Sequence, residues 1–429
     1  MNLDPRPETG SGFPLLESAG RGSPVTALAY LGAAGGQLLF LKELSSWLEP
    51  GAFGAVLGST ALMLGLSLLA AALRAASAAS SAAALQRNEG TDLARFDRRL
   101  LLAGGLAVVL AVAFYGSPLA GWLRLPSRLF AGWQPLLAGA SVLLGLAGGS
   151  LLGSGRERRY ALLLLIDPWL RCGAFALFNG LGLGRDGSGP LAAIFIGLSV
   201  SIVFARLALP GRARDAKLPS RRSGHAVQLA RPTALLALLS CGLLLFLDVA
   251  LVRHFLEPGE AARFAAVAVA SRFLILLPIP LALLLVPLVR LRIQRREPTL
   301  PAFLRTLGSM SIVLLLGLLA VNEFGGRLLA FFLDGDRYGD LRSEYIRYAL
   351  AAAVHALSAL LVFYGIALDR VSLALLPGTM LVIEVGLLLE RGRDLLDCIT
   401  VIQTMALAQL GALIVVVLLP LVWSRRSTG

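Results

Sequence analysis

Six ionisable side chains stand inside or beside long apolar runs: Asp167, Arg171, Asp248, Arg272, His355 and Glu384. An ionisable group at the centre of a membrane-crossing helix costs roughly 2.5–3.5 kcal/mol on insertion scales, so each demands a partner or a task. Asp167 and Arg171 are four residues apart, hence on one helical face and able to neutralise each other. The competing role for Arg171 is contact with an anionic substrate. Asp248 either bonds to Arg253 or another helix, or acts in coupling or gating. Arg272 has no carboxylate three or four residues away. Its planar fork suits bidentate binding of phosphate oxygens, and a carboxylate from another helix is the competing partner. Glu384 and His355 are candidate proton-binding groups, although a lone His in a bundle more often just hydrogen-bonds to a neighbour. Arg171 and Arg272 are thus the substrate-binding candidates, and Asp248, Asp167, Glu384 and His355 the coupling or gating candidates. No metal site is expected: the histidines lie in unrelated segments, and Cys172, Cys241 and Cys398 share no metal or disulfide spacing.

The elements that must position these groups follow from composition. Of 429 residues, 57% are hydrophobic and only 15% charged, against about 25% charged in an average soluble chain. Mean hydropathy is +0.77. Apolar runs lie near 25–43, 52–73, 100–118, 131–153, 160–180, 190–208, 232–252, 262–289, 302–323, 345–366, 370–389 and 399–423. Each approaches the length of about 20 residues that crosses ~30 Å of hydrocarbon. The fold class expected is an all-α polytopic membrane protein of about twelve transmembrane helices. The first 24 residues are polar and carry no small-residue cleavage pattern, so no removable signal peptide is expected.

A net charge of +13 and a pI near 10.7 would suggest nucleic acid in a soluble chain. Here the basic residues collect in loops after even-numbered spans and at the C-terminus, 23 against 12 in the other loops. That asymmetry predicts cytoplasmic termini, and nucleic acid is not an expected partner. The domain organisation expected is a cytoplasmic tail (1–24), a six-helix bundle (25–208), a basic cytoplasmic linker (209–231), a second six-helix bundle (232–423) and a short tail (424–429).

An internal repeat supports two bundles. Leu48-Glu49-Pro50-Gly51 after span 1 recurs as Leu256-Glu257-Pro258-Gly259 after span 7, an offset of 208. Gly116 and Leu119 recur as Gly325 and Leu328 at an offset of 209. Six spans per half leave the halves in the same orientation, the parallel arrangement of carriers whose bundles rock about the membrane normal. Gly145, Gly149 and Gly153, and Gly32 with Gly36, make small-xxx-small faces for close helix packing. Pro278, Pro280 and Pro287 should kink span 8.

Catalytic signatures are missing. There is no GxxxxGK[ST] loop and no HExxH, and no nucleophile–base pair stands out. Neither catalytic residues nor cofactors are expected. A membrane polymerase or ligase should carry a long external polar loop, and the external loops here are short.

The stretch LLFLDVALVRHFLEPGEAARFAAVAVASRFLILLPIPLALLLVPLVRLRI (244–293) resembles the seventh and eighth helices of polysaccharide flippases in the multidrug/oligosaccharidyl-lipid/polysaccharide exporter superfamily. The matching positions are Asp248, Leu256–Gly259, Arg272 and Pro287. FLKELSSWLEPGAFGAV (40–56) resembles the same family's first loop, and LLAFFLDGDRYGDLRSEYIRYAL (328–350) its ninth-to-tenth connection. The second loop departs from the family, reading Ala261-Ala262-Arg263-Phe264 in place of an aromatic-Gly step. Twelve spans are similar to O-antigen-type flippases rather than to fourteen-helix lipid II flippases.

What the resemblance implies is a non-enzymatic carrier in a bacterial inner membrane. It would move an undecaprenyl-pyrophosphate-linked oligosaccharide from the cytoplasmic to the periplasmic leaflet by alternating access. Its partners would be that lipid-linked oligosaccharide, membrane lipid, and a polysaccharide polymerase and glycosyltransferases. A cation-coupled multidrug antiporter of the same superfamily is the alternative; it would want acidic groups in the first bundle, and spans 1–4 as bounded above carry none in their interiors. A major-facilitator carrier would want a short glycine-and-basic loop between spans 2 and 3, which 74–99 is not.

Overall fold

The computed structural model describes residues 24–66, 68–71, 128–154, 156–183, 187–209, 232–276, 295–338, 340–368 and 375–426, together with isolated positions between them. Among these residues the chain is helical throughout. The helices are α1 Pro24–Trp47, α2 Pro50–Gly65, α3 Arg128–Gly153, α4 Glu157–Gly180 and α5 Ser188–Ala208. They continue as α6 Pro232–Phe246, α7 Asp248–Phe255, α8 Pro258–Leu276, α9 Leu300–Phe332, α10 Gly335–Tyr338, α11 Arg342–Ala367, α12 Leu375–Arg391 and α13 Leu395–Arg426. Seven of them, or eight with the bent pair α6–α7, are long and apolar enough to cross a membrane. The two Leu-Glu-Pro-Gly turns come together at one end of the molecule (the turn face), where α5 begins beside Val56 of α2, and Arg156 and Arg159 gather at the far end of α5 on Ala208 O (the basic face).

The helices sort into two bundles. α4 packs on α1 and α5, α3 on α2 and α5; separately, α11 packs on α8, α9 and α13, with α12 against α6 and α13. This is the two-bundle, all-α polytopic fold that the repeat implied. The linker from 210 to 231, residues 1–23 and 427–429, and the prolines of span 8 lie outside the described residues. The bend that is described falls one span earlier: α6 and α7 meet at 46° around Leu247. No proline or glycine marks that break; Asp248 sits immediately after it.

α9 is 33 residues long and presents Leu304, Ile312, Leu315, Leu316 and Leu319 outward, a wall suited to lipid. α11 is the opposite, buried along most of its length, which makes it the post around which the second bundle is organised.

The bundles touch chiefly through α2, which lies against α6, α7 and α8. At the turn face the two repeat turns meet directly: a methyl on Gly51 would lie 3.6 Å from the Cβ of Pro258. Arginines bridge the seam to backbone carbonyls. Arg253 donates to Gly51 O (3.2 Å) and Arg124 O (2.8 Å), Arg124 donates to Leu256 O (3.0 Å), and Arg337 donates to Leu48 O (2.7 Å). Ser45 Oγ accepts the Asp334 N–H at 2.9 Å, and Phe53 packs on Tyr338 with ring centroids 5.6 Å apart. Arg124 holds φ of 48°, left-handed backbone that a non-glycine residue rarely adopts and that surrounding contacts must sustain.

Candidate functional site

The break between α6 and α7 builds the most buried polar cluster. Unwinding at Leu247 releases the Phe246 carbonyl, and Arg272 of α8 donates to it through Nη2 at 3.1 Å. Asp248 begins the new helical segment, where a carboxylate suits exposed backbone N–H groups, and its Oδ1 accepts from Val249 N at 2.8 Å. The same Oδ1 takes Arg272 Nη2 in an ion pair, while the Tyr348 hydroxyl of α11 donates to Oδ2. The Arg272 guanidinium also lies 4.9 Å from the Phe246 ring centroid, within cation–π range. Both oxygens of Asp248 are thus engaged, and the charge that Arg272 lacked in its own helix is supplied from α7. Arg253, the partner considered for Asp248 from sequence, points instead to the seam between the bundles.

Around this pair lie groups with unmet bonding capacity. Glu384 of α12 is 1% exposed, and its Oε2 has no hydrogen-bond partner among the described residues. His355 Nδ1 lies 3.0 Å from Gln409 Oε1, so that nitrogen carries the proton when it donates to the amide oxygen; Nε2 has no described partner. Glu384 and His355 both lie within electrostatic reach of Asp248. Arg272 Nε and Nη1 are likewise buried and without partners among the described residues. Three of the four coupling candidates therefore converge in the second bundle together with Arg272, and Tyr348 and Gln409 join them. Neither had been singled out in the sequence, because neutral polar residues inside apolar helices carry no charge cost to flag them.

Asp167 and Arg171 sit apart from this cluster, in the first bundle. Arg171 grips Asp167 with both edges of its fork, Nε to Oδ1 at 2.9 Å and Nη2 to Oδ2. α5 passes close because Gly197 faces the pair; a methyl there would lie 2.8 Å from Arg171 Cγ. Nearby on α1, Glu43 Oε2 is buried without a described partner, and Glu43 and Arg171 both act electrostatically on Cys172. Glu43 closes the run 25–43, and spans 1–4 were expected to carry no carboxylate in their interiors. α1 continues to Trp47, four residues past the apolar run, and takes Glu43 into the helix. Among the described residues no group of three His, Cys, Asp or Glu side chains is placed to hold a metal ion.

No protein-family model and no curated protein sequence matches the chain. Solved structures do. The chain superposes with a TM-score of 0.63 on a multidrug resistance MATE family transporter of the MOP superfamily in its inward-facing conformation, at 17% identity over 93% of this chain and 98% of that one. The fold is that of the MATE transporters. The outward-facing conformation of a multidrug resistance MATE family transporter gives 0.62 at 17% identity, covering 98% of both chains. A MOP superfamily transporter from Pyrococcus furiosus, described as having a binding pocket of reversed polarity and a suggested different function, gives 0.58 at 17% identity over 95% of this chain and 98% of that one. At such identity the likeness is one of fold alone.

Proposed function

We propose that the protein is a MOP-superfamily carrier that flips an undecaprenyl-pyrophosphate-linked oligosaccharide across a bacterial inner membrane, with both termini in the cytoplasm. The observation that carries this reading is the Asp248–Arg272 ion pair. The two ionisable residues picked out by the flippase resemblance lie 24 positions apart and meet in one buried cluster, so the sequence pattern corresponds to a built feature. The basic face is then cytoplasmic, and closure of the turn face by the Arg124, Arg253 and Arg337 bridges suits an inward-facing state awaiting substrate. Residues 25–208 and 232–423 act as the rocking domains. Arg171 and Arg272, one in each bundle, contact the pyrophosphate when it exchanges with their carboxylates. A charged phosphate suits this task because it can replace Asp167 or Asp248 with little loss of charge-assisted bonding. The carrier is not an enzyme and works beside glycosyltransferases and a polysaccharide polymerase.

Coupling, in this reading, uses Glu384 before Asp248. Asp248 is held by Arg272, Tyr348 and Val249, whereas Glu384 has an oxygen free to take a proton, with His355 close to the same centre. A carboxyl in such surroundings is far less costly neutral than charged.

The second reading, a cation-coupled multidrug antiporter, is favoured by Glu43, which gives the first bundle a carboxylate with unmet bonding capacity. Reconstituted vesicles separate the two. A flippase moves a fluorescent lipid-linked sugar between leaflets and leaves organic cations alone; efflux of organic cations against protons or sodium, with the lipid-linked sugar static, would select the antiporter.

A further inference from the structure

Arg171 and Arg272 each take a carboxylate; among the described residues Arg74 does not. Arg74 lies just beyond the span Pro50–Ala71, at the basic face of the first bundle. Its Nη1 donates to the Tyr160 hydroxyl at 3.0 Å, and that hydroxyl shares a 2.9 Å hydrogen bond with Tyr30. Arg74 Nε is buried with no partner, and no carboxylate lies within ion-pair distance of the guanidinium among the described residues.

The position is built. The glycine stripe of α3 lets the backbone at Ala70 and Arg74 lie directly on it: a methyl at Gly145 would come within 2.7 Å of Ala70 O, and one at Gly149 would collide with Arg74 O. Ser77 donates to Leu146 O at 3.1 Å, fastening the same segment. Gly148 makes room for the Tyr160 ring, which is 2% exposed, whereas Tyr30 is 43% exposed and opens the trio to the outside of the bundle. On the same face Arg156 and Arg159 each donate to Ala208 O at 2.6 Å, and Arg158 stands exposed beside them; Glu157 is their one acidic neighbour in that run. The field at this corner is positive.

A guanidinium with an unused Nε edge, flanked by hydroxyls at headgroup depth, fits a tetrahedral oxyanion: two parallel N–H bonds to phosphate oxygens, with a phenol hydroxyl as a further donor. We propose that Arg74, Tyr160 and Tyr30 form a binding site for the phosphate of a membrane lipid at the basic face. The site does not depend on the flippase reading; if that reading holds, it is where the pyrophosphate carrier is first captured. The phosphate can belong to the polyprenyl carrier or to bulk anionic phospholipid.

The test uses the full chain, delipidated in detergent, with three probes: undecaprenyl diphosphate, phosphatidylglycerol and phosphate-free undecaprenol. Arg74→Ala should weaken undecaprenyl diphosphate at least tenfold and leave undecaprenol unchanged, with Arg74→Lys intermediate and Tyr160→Phe weaker by a few-fold. Equal weakening of phosphatidylglycerol assigns the site to lipid phosphate in general; unchanged phosphatidylglycerol assigns it to the carrier. Should Arg74→Ala fail to fold, Arg74→Gln and Tyr160→Phe serve in its place. Wild-type affinity for both phosphate lipids in these variants, or an equal loss for undecaprenol, overturns the proposal. Failure of leaflet transfer with Arg74-dependent binding intact would sink the flippase reading alone.

Discussion

The two bundles each hold an arginine–aspartate pair, and the pairs are built differently. Asp167 and Arg171 belong to one helix, one turn apart, with side chains 14% and 7% exposed. Asp248 and Arg272 belong to different helices, and their side chains are 2% and 3% exposed. The first pair forms whenever α4 forms, and it is the less enclosed of the two. The second exists only when α6 breaks, α8 packs and α11 brings Tyr348 to the second carboxylate oxygen. A local pair can exchange its partner cheaply; a tertiary pair records the assembly of its bundle.

Removing one partner from each sharpens that contrast. Asp248→Ala leaves a guanidinium buried without its counter-charge and should cost about 3–5 kcal/mol, read as thermal unfolding in detergent. The Asp248→Leu/Arg272→Met double variant should recover most of that loss. Asp167→Ala should cost less, about 1–3 kcal/mol, because the pair is less enclosed than Asp248–Arg272 and is held within one helix. Equal losses would erase the distinction between the pairs. The smallest stability effect belongs to Glu384→Gln, since the amide keeps the carboxyl's size and carries no charge where an oxygen has no described partner; unfolding should stay where it is or rise slightly. Its functional effect is different in kind: transfer by the wild-type protein should respond to a proton gradient, and transfer by Glu384→Gln should not. A gradient response surviving in Glu384→Gln but lost in Asp248→Asn would return coupling to Asp248.

Much of the architecture was legible because it rests on local or repeated signals. The Leu-Glu-Pro-Gly pairs marked two halves, and the structure sets those two turns against each other across the seam. The four-residue spacing of Asp167 and Arg171 announced their pair, and the Gly145–Gly149 stripe announced a close helix approach. The rest depends on tertiary packing. Nothing in the residues around Leu247 signals a helix break, because it is sustained by the contacts of Asp248 and the Phe246 carbonyl with α8 and α11. Asp248 and Arg272, 24 residues apart, could not be matched by helical periodicity. Glu43 was misplaced because an apolar run ends where its side chains turn polar, while the backbone helix continues to Trp47. Arg74 was counted with the basic residues after span 2, and nothing in the sequence pointed to its contact with Tyr160.

Transport by parting of the two bundles is the central claim, and the seam offers a direct way to test it. A Cβ added at Gly51 would lie 3.6 Å from that of Pro258, inside the range of about 3.5–4.5 Å that a disulfide spans. The native cysteines are all free and buried, so a Gly51→Cys/Pro258→Cys protein adds the only engineered thiols at the turn face. In vesicles, oxidation of that protein should stop leaflet transfer of the lipid-linked sugar, and reduction should restore it. Undiminished transfer with the cross-link complete would show that the substrate crosses without the turn face opening, and would contradict the account.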